Sequence, residues 1–435
     1  MNENRCGLRG CRGNSAPDFG SEFGRLLLLL VILGIQALQA LAGNAKEDDL
    51  DVNYDESKVP AYTLPSPLVS VSGQRITTPS QWQNVRRPEL LALFANELYG
   101  VVPEPASPLR ISYEDGWNSP EYLQGQGLRR DVRIKFENEQ GKAELPIILF
   151  IPGGQRGPVS ALMMYSFEKT SSLGFLPNAE RPGALRNGIP LGTIFAHGYA
   201  LVVVPQDVLV SHNEVEFQRG IQPLFYHAGQ SFPRANEWGV IATIAWSGMR
   251  VMDYLETDKD IDPRRVGLLG HSKCGKAALW TAAQDERFAL VIAAQSGCAG
   301  AALWRRPFGE NLEKMVTRFP YWLCRNASKY IGREDDLAVD QHELLALIAP
   351  RPLYVCSGAE DRWADPRGEY LGAYHAGEVY RLLGVEGLTV PDSPPLGQPR
   401  LSGKVGYHLR EGGHSIEPYD WERFVEFLDG NLGPH

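Results

Sequence analysis

Short apolar runs alternate with amphipathic stretches along most of the chain. Continuous apolar runs of about four to eight residues are typical of strands buried on both faces, whereas apolar residues recurring every three or four positions predict helices. The runs predict buried strands at 147–151, 199–204, 266–270, 289–294 and 353–357. The helical pattern predicts helices at 87–99, 238–255, 276–283 and 417–432. This alternation predicts an α/β fold, with a mostly parallel central sheet and helices on both faces in a three-layer sandwich.

Two details refine this pattern. Residues 131–136 alternate polar and apolar side chains, so one face of that strand is predicted to be in contact with water. Pro88 stands where a proline is favoured in the first turn of a helix, and it predicts a helix start there.

The amino terminus has the pattern of an export signal. Four arginines precede an unbroken apolar run at 26–35, and residues 40–42 form an A-x-A site. The run is shorter than the about 20 residues that span a bilayer. It predicts a signal peptide at 1–42 and a secreted or periplasmic protein with no membrane contact after leader removal; the alternative is an uncleaved anchor.

The rest of the chain divides into two predicted parts. Residues 43–80 are polar and contain several prolines, and they are interpreted as a linker or N-terminal arm. Residues 81–435 are predicted to form a single domain. The net charge of −9 argues against a general nucleic-acid partner. The oligomeric state stays open.

Cysteine usage leaves two interpretations. Four cysteines follow the predicted leader: Cys274, Cys298, Cys324 and Cys356. An exported protein can form disulfides, but buried free thiols are equally compatible with the sequence. No C-x-x-C pair indicates a zinc or redox motif.

The stretch around Ser272 predicts a nucleophile. Gly270 precedes it by two residues and Gly275 follows it by three, at a predicted strand–turn–helix junction. A nucleophile elbow needs small residues because the tight turn brings neighbouring backbone close. The usual G-x-S-x-G pattern has glycine where this chain has Cys274. The amide of Lys273 would lie at the helix amino terminus, where an oxyanion can be held. The alternative is a glycine-rich turn without chemistry.

A serine nucleophile needs a base and an acid, which follow it in the order acid then histidine in α/β-hydrolases. His414 lies in a glycine-containing loop before the last helix and is the predicted base. Asp361 lies one short loop past a buried strand and is the predicted acid, with Glu360 and Asp365 as rivals. Less favoured histidines are His342, His375, His408 and His435. Neither a metal site nor a cofactor is predicted, since no H-E-x-x-H, G-x-G-x-x-G or Walker pattern occurs.

These residues and their surroundings resemble the glucuronoyl esterases, carbohydrate esterase family 15, in their bacterial form. The resemblance runs from about residue 82 to 432. It is carried by the motifs at 237–239, 253–257, 270–276, 296–298, 305–310, 340–342, 349–352, 360–366, 407–410 and 413–414. The fold it implies is that of an α/β-hydrolase.

The resemblance implies a function and a set of site residues. The implied enzyme is a carboxylic ester hydrolase that cleaves esters of 4-O-methyl-glucuronic acid in glucuronoxylan, at its ester bonds to lignin alcohols. Ser272, His414 and Asp361 match the catalytic positions. Lys276, Glu310 and Trp363 match positions that hold the uronate ring. The alternatives are a solvated helix lysine for Lys276 and a core aromatic for Trp363. The resemblance also implies a Cys298–Cys324 pair.

Two departures from the family pattern affect the expected activity. The family has arginine directly after the serine, and this chain has Lys273, which keeps the charge but loses the planar fork of donors. Some members place the acid after the strand that follows the nucleophile helix, where this chain has Gln295 and Ser296. Asp361 is then the sole predicted acid.

Two other functions remain open. An acetyl xylan esterase, or a related carbohydrate esterase, would use the same three groups without a uronate grip. A weakly active carbohydrate-binding homologue of the hydrolases is conceivable because Lys273 replaces arginine.

Overall fold

The apolar runs form the centre of one nine-stranded sheet with the order β1-β2-β3-β5-β4-β6-β7-β8-β9. β1 to β3 pair antiparallel, and β3 pairs antiparallel with β5. From β5 to β9 every neighbouring pair is parallel. The strands are β1 (Arg110–Glu121), β2 (Gly127–Asn138), β3 (Gly141–Pro152), β4 (Val159–Ser166), β5 (Ala200–Pro205), β6 (Ile261–His271), β7 (Leu290–Ala294), β8 (Leu353–Gly358) and β9 (Val405–Arg410).

The computed structural model describes residues 52–121, 125–167, 188–206, 209, 217, 219–401 and 403–433. The predicted signal peptide and residues 43–51 lie outside this range, so the predictions made for them stay predictions. The chain from Asn53 onward forms one compact unit. No helix among the described residues is long and apolar enough to cross a membrane.

Helices cover both faces of the sheet, as the sequence predicts. They are α1 (Arg87–Phe94), α2 (Leu191–Ala196), α3 (Val240–Leu255), α4 (Lys273–Gln284), α5 (Leu312–Arg318), α6 (Gln341–Ala346), α7 (Pro366–Leu382) and α8 (Pro418–Leu432). Side chains alternate between the two faces of a strand, so adjacent residues of β6 enter different cores. Leu268 packs in the larger core with Trp280 of α4, and Leu269 packs in the smaller core with Phe424 of α8.

The alternating stretch at 131–136 behaves as predicted except at Asp131, which is buried and paired with Arg129. Val132, Ile134 and Phe136 are buried, whereas Arg133 and Lys135 reach solvent and pair with Glu114 of β1. The edge strand β1 and its neighbour β2 therefore keep one wet face, which an antiparallel pair tolerates.

Other elements differ from the prediction. The helical segment around α1 begins at Pro79, and π-helical turns flank α1, so Pro88 lies inside it and does not start it. α4 begins at Lys273, three residues before the predicted start. The elements that the sequence analysis did not predict include β1, β4, α2, α5 and α7. β4 is a buried central strand, and its sequence contains an apolar stretch at 161–165 of the kind that predicts such strands.

Residues 53–78, part of the predicted arm, lie against the body of the unit. Asn53 Nδ2 donates to Pro307 O at 2.8 Å. The ring of His342 contacts Pro65 O at 2.9 Å, and Arg86 Nε donates to Pro67 O at 3.4 Å. The described part of this segment is therefore fixed by bonds to three distant parts of the chain.

We predict that Gly270→Ala destabilises the protein by about 2–3 kcal/mol or more, because overpacking a tight site forces backbone movement. A Cβ atom at this position would lie 2.0 Å from Cys274 O. Urea unfolding of the variant measures the loss. The control is Gly430→Ala in α8, where a Cβ meets nothing within 4 Å. It should stabilise by up to about 1 kcal/mol, because alanine favours helix more than glycine. Equal stabilities for the two variants would contradict the steric argument.

Candidate active site

Ser272 occupies a strained turn between the end of β6 and the start of α4. Its backbone has φ 56° and ψ −127°, a conformation that non-glycine residues rarely adopt. The Ser272 amide donates to Ala294 O at the end of β7, at 2.8 Å, which fixes the turn against the neighbouring strand. The turn leaves the Ser272 side chain partly exposed at the carboxyl edge of the parallel strands. This is the geometry of a nucleophile elbow.

Small residues make this turn possible, as the sequence predicts. In addition to the tight contact at Gly270, a Cβ atom at Gly275 would lie 2.9 Å from Ser296 Cβ. Cys274, where the usual pattern has glycine, is fully buried among apolar side chains. Burial raises the pKa of the Cys274 thiol to about 12, so the thiol stays protonated.

His414 and Asp361 come together at the ends of β9 and β8. His414 Nδ1 lies 2.6 Å from Asp361 Oδ2, with the carboxylate buried and the imidazole 41% exposed. Gly358, at the end of β8, allows this approach, because a Cβ atom there would lie 2.6 Å from the carbonyl oxygens of Gly412 and Gly413. A carboxylate only accepts hydrogen bonds, so Nδ1 carries the proton and Nε2 is left as a base.

The rival acids and histidines have other partners. Glu360 is exposed, and Asp365 pairs with Arg306 at 2.8 Å. His342 contacts Pro65 O, and His408 is buried beside Asp420. The remaining two are His375, whose ring lies 6.0 Å from that of His342, and His435, which is outside the described residues.

The His414 ring lies beside the nucleophile turn. The rings of His414 and His271, the residue before Ser272, have centroids 4.7 Å apart. Burial and the neighbouring His414 lower the pKa of His271 to about 4, so His271 is neutral at neutral pH and adds no charge to the site. No hydrogen bond joins Ser272 Oγ to His414 within the described residues. Such bonds are often long before substrate arrives and shorten in the complex.

Two side chains that the sequence analysis did not single out hold the loop of His414. Gln295 Nε2 donates to Ser415 O at 2.8 Å, while its Oε1 lies 3.1 Å from His271 Nε2. Arg410 Nη2 also donates to Ser415 O. Gln295 has φ 47°, so strained backbone places this amide between the nucleophile turn and the histidine loop. The residue after His414 is thus fixed by one donor from the residue that follows β7 and one donor from the end of β9.

Arg410 is itself fixed by a buried carboxylate. Its Nε donates to Asp420 Oδ2 at 2.7 Å, and Asp420 Oδ1 lies 2.7 Å from His408 Nε2. Cys356, His408 and Asp420 are close enough for three metal ligands. Both ring nitrogens of His408 already have partners, because Nδ1 lies 2.8 Å from Tyr354 Oη. This cluster is therefore a hydrogen-bonded support for the loop.

Glu369 of α7 lies beneath the catalytic loops and was also missed. It accepts from Ser357 Oγ at 2.7 Å and from the Gly297 amide at 2.9 Å. Burial, with Asp361 nearby as a lesser cause, raises the pKa of Glu369 to about 8. Its carboxyl group is therefore mostly neutral at pH 7, which limits repulsion of the Asp361 carboxylate.

The ammonium group of Lys273 lies over two aromatic rings. Lys273 is buried, and its Nζ is 5.7 Å from the ring centroid of Phe167 and 5.4 Å from that of Trp322. Cation–π contacts of this kind are strongest when the cation is desolvated. The backbone amide of Lys273 lies at the amino terminus of α4, where the helix dipole favours negative charge.

The three predicted ring-binding residues lie together. Lys276 Nζ donates to Glu310 Oε2 at 2.8 Å, and the Glu310 amide donates to Trp363 O at 2.7 Å. Trp363 is partly exposed, so it is not a core aromatic. Lys276 is buried, so the alternative of a solvated helix lysine is wrong.

The ammonium of Lys276 has no spare proton in this arrangement. Besides Glu310, it donates to Ser296 O at 2.7 Å and to Cys298 O at 2.5 Å, which uses all three of its protons. Glu310 Oε1, by contrast, accepts no hydrogen bond within the described residues. Lys276 therefore orients Glu310, and the carboxylate keeps acceptor capacity for hydroxyl groups.

The disulfide that the resemblance implies is wrong. Cys298 and Cys324, like Cys274 and Cys356, are buried free thiols. They belong to different surroundings, because Cys298 O accepts from Lys276 whereas Cys324 Sγ faces Asn96 O at 3.8 Å. Burial raises the pKa of the Cys324 thiol to about 11, so its thiol stays protonated at neutral pH.

The strain at Ser272 predicts a stability difference between two variants that lack the hydroxyl group. Ser272→Gly should be about 1 kcal/mol more stable than Ser272→Ala, because both lack the hydroxyl but only glycine relieves the positive φ. Thermal and urea unfolding measure the difference. At the control position Ser80, in the helix Pro79–Gln81, the order should reverse. Alanine at least as stable as glycine at 272 would contradict the strain.

Comparison with known proteins agrees with this geometry. The profile of the family described as "Glucuronyl esterase, fungi" matches residues 181–384. The chain is 36% identical over 403 residues to carbohydrate esterase MZ0003 from an unknown prokaryotic organism, covering 87% of this chain and 92% of that protein. It is 27% identical over 361 residues to a 4-O-methyl-glucuronoyl methylesterase of Thermothelomyces thermophilus, with coverage of 78% and 77%.

Solved structures show the same likeness over the whole catalytic unit. A glucuronoyl esterase from Solibacter usitatus superposes with a TM-score of 0.79 at 38% identity, covering 87% of this chain and all of that one. A promiscuous esterase of carbohydrate esterase family 15 from a marine bacterial metagenome superposes with a TM-score of 0.78 at 36% identity, covering 88% of this chain and all of that one. The chain thus belongs to carbohydrate esterase family 15, the glucuronoyl esterases.

Proposed function

We propose that the protein is a serine esterase that hydrolyses esters of 4-O-methyl-glucuronic acid in glucuronoxylan. The observation that carries the proposal is the pairing of His414 Nδ1 with Asp361 Oδ2 beside the strained Ser272 turn. Family membership supports the reaction class, since relatives are named 4-O-methyl-glucuronoyl methylesterases. Ser272 is the proposed nucleophile, His414 the base and Asp361 the acid that orients it.

In the acylation step, His414 Nε2 takes the proton of Ser272 Oγ. The oxygen lone pair forms a bond to the ester carbonyl carbon, and the carbonyl π electrons move to its oxygen as an oxyanion. The carbonyl re-forms and the bond to the alkoxy oxygen breaks. That oxygen takes the proton from His414 and leaves as the alcohol.

In the deacylation step, water takes the place of the alcohol. His414 removes a proton from the water, whose oxygen attacks the acyl carbon of the serine ester. The bond to Ser272 Oγ breaks and Oγ takes the proton back from His414. The uronic acid is released and the free serine is restored.

The Lys273 amide is the proposed oxyanion donor, supported by its place at the amino terminus of α4. The Lys273 ammonium is held over Phe167 and Trp322 and adds positive charge behind this amide. Because a lysine is a point charge and not a fork of donors, it supports the oxyanion through charge more than through fixed hydrogen bonds.

The group of Lys276, Glu310 and Trp363 is the proposed grip on the uronate ring. Glu310 offers acceptor lone pairs to ring hydroxyls, and Trp363 offers an aromatic face for the sugar. Lys276 is proposed to orient Glu310 and not to bind the ring itself, because all three protons of its ammonium group are already donated. An acetyl xylan esterase would not need such a group, so its presence favours the uronate ester.

We further propose that the protein is exported by a signal peptide at residues 1–42 and that residues 81–435 form a single esterase domain. The charged segment, apolar run and A-x-A site support export. The described compact unit supports a single domain, with residues 53–80 packed on it.

Ser272→Ala is expected to lower turnover of benzyl glucuronate by about 10⁴-fold or more, because the covalent route is lost. The rate of benzyl alcohol release measures this. Ser328→Ala, at an exposed serine of the short helix Arg325–Tyr330, should keep wild-type turnover. Wild-type turnover of acetylated xylan is measured beside it. Preference for the acetyl substrate would favour the acetyl xylan esterase. Absence of both turnover and labelling of Ser272 by a fluorophosphonate would favour a carbohydrate-binding protein.

The Lys276–Glu310 pair gives a second test. Lys276→Met and Glu310→Met should each destabilise the protein by about 3–5 kcal/mol, because each leaves a buried charge unpaired. The double variant should regain part of that loss. All three should raise KM for benzyl glucuronate, whereas the double variant should still be labelled at Ser272 by a fluorophosphonate. Recovery of the wild-type KM in the double variant would contradict the proposed grip.

A further inference from the structure

The first described residues of the chain contact both loops that carry the proposed uronate grip. One loop runs from Arg306 to Glu310 and the other from Arg362 to Asp365. The Gly309 amide donates to Asn53 O at 2.9 Å, and Asn53 Nδ2 donates to Pro307 O at 2.8 Å. Asn53 therefore forms two backbone-directed bonds with the first loop, directly before Glu310.

Tyr54 links the same segment to the second loop. Arg362 Nη2 donates to Tyr54 O, and the Arg362 guanidinium lies over the Tyr54 ring at 5.0 Å. The Tyr54 ring meets Phe308 edge-on at 6.1 Å, and the same guanidinium lies 5.8 Å from the Phe308 ring. A cluster of two aromatic rings and one guanidinium thus spans both loops directly before Trp363.

Glu56 completes the contact through a buried arginine. Arg306 Nη1 donates to Glu56 Oε1 at 2.8 Å and Nη2 donates to Glu56 Oε2, while Arg306 Nε donates to Asp365 Oδ2 at 2.8 Å. Only 2% of the Arg306 side chain is exposed, against 46% for Glu56. Arg367 Nη1 also donates to Glu56 Oε1, at 2.7 Å. Without Glu56, the two terminal nitrogens of a buried guanidinium lose their acceptors.

The two loops are themselves in very close contact. A Cβ atom at Gly309 would lie 2.4 Å from the carbonyl oxygens of Arg362 and Trp363. A small shift of either loop therefore moves the other, and with it the distance between Glu310 and Trp363.

We propose that Asn53, Tyr54 and Glu56 act as a strap that fixes these two loops, with Glu56 as a positioning residue for the acyl-binding site. This inference rests on the proposed function only in that the loops hold the acyl part of the substrate. The strap does not touch Ser272, His414 or Asp361 in the described bonds. Its loss is expected to weaken substrate binding and leave the nucleophile reactive.

The test compares Glu56→Ala and Glu56→Gln with wild type. The substrate is the ester that wild type turns over fastest. Its KM should rise about threefold to tenfold in Glu56→Ala and by a smaller factor in Glu56→Gln. These factors are smaller than the about hundredfold loss that a 1 Å misplacement can cause. The value of kcat and the rate of fluorophosphonate labelling should stay within about twofold. Hydrogen exchange, followed by mass spectrometry, should become faster in peptides covering 306–310 and 362–365 and stay unchanged in α4.

Asp55→Asn is the matched control, since it removes the same charge from the neighbouring residue. Among the described residues, the Asp55 side chain bonds neighbours in its own segment, namely the Ser57 amide at 3.0 Å, Ser57 Oγ at 2.7 Å and Lys58 Nζ at 3.8 Å. An asparagine side chain keeps the acceptor oxygen for Ser57. This variant should match wild type in KM and in exchange of both loops. Equal effects of Asp55→Asn and Glu56→Gln would overturn the proposal, because net charge alone would then explain them.

Two further outcomes would overturn the strap. Unchanged loop exchange in Glu56→Ala would show that the loops do not depend on it, and this result needs no substrate. Faster exchange of both loops in Glu56→Ala with an unchanged KM would show that the contacts stabilise the loops but do not position the substrate. Failure of the proposed function would give a different result. Wild-type protein would then be labelled at Ser272 by the fluorophosphonate but would not hydrolyse glucuronate esters.

Discussion

The strained turn at Ser272 is the constraint on which the site depends. It exists because β6 ends against Ala294 of β7 and because Gly270 lets the backbone of Cys274 approach closely. Neighbouring parallel strands lie about 4.8 Å apart, so loops that follow consecutive strands emerge side by side. The order β6-β7-β8-β9 thus places the loops of Ser272, Gln295, Asp361 and His414 along one edge.

Two buried guanidinium groups stabilise the loops around this turn. Arg410, paired with Asp420, holds the carbonyl of the residue after His414. Arg306, paired with Asp365, links the strap to the loops of the acyl-binding group. Arginine suits both places because its planar fork of five donors can satisfy several acceptors at fixed angles. The site therefore depends on charges buried behind the reacting groups as well as on those groups.

The two lysines near the nucleophile are both buried, and neither behaves as a free surface cation. Lys276 donates its three ammonium protons to Glu310 and to two carbonyl oxygens. Lys273 lies over two aromatic rings. A buried ammonium is costly unless it is compensated, so these partners explain how two cations are tolerated at the base of the site.

The sequence by itself determined the alternation of buried strands and helices, the turn at Ser272, the candidate base and a short set of candidate acids. Those features are local, because apolar periodicity and glycine spacing act over a few residues. Only the tertiary structure decided that Asp361, and not Glu360 or Asp365, meets His414, and that Cys298 and Cys324 stay free. It alone also brought Asn53 and Glu56 against loops about 250 residues away, as the Glu56–Arg306 separation shows. Such contacts produce no periodic pattern in the sequence, since they depend on where distant loops meet after the sheet has formed.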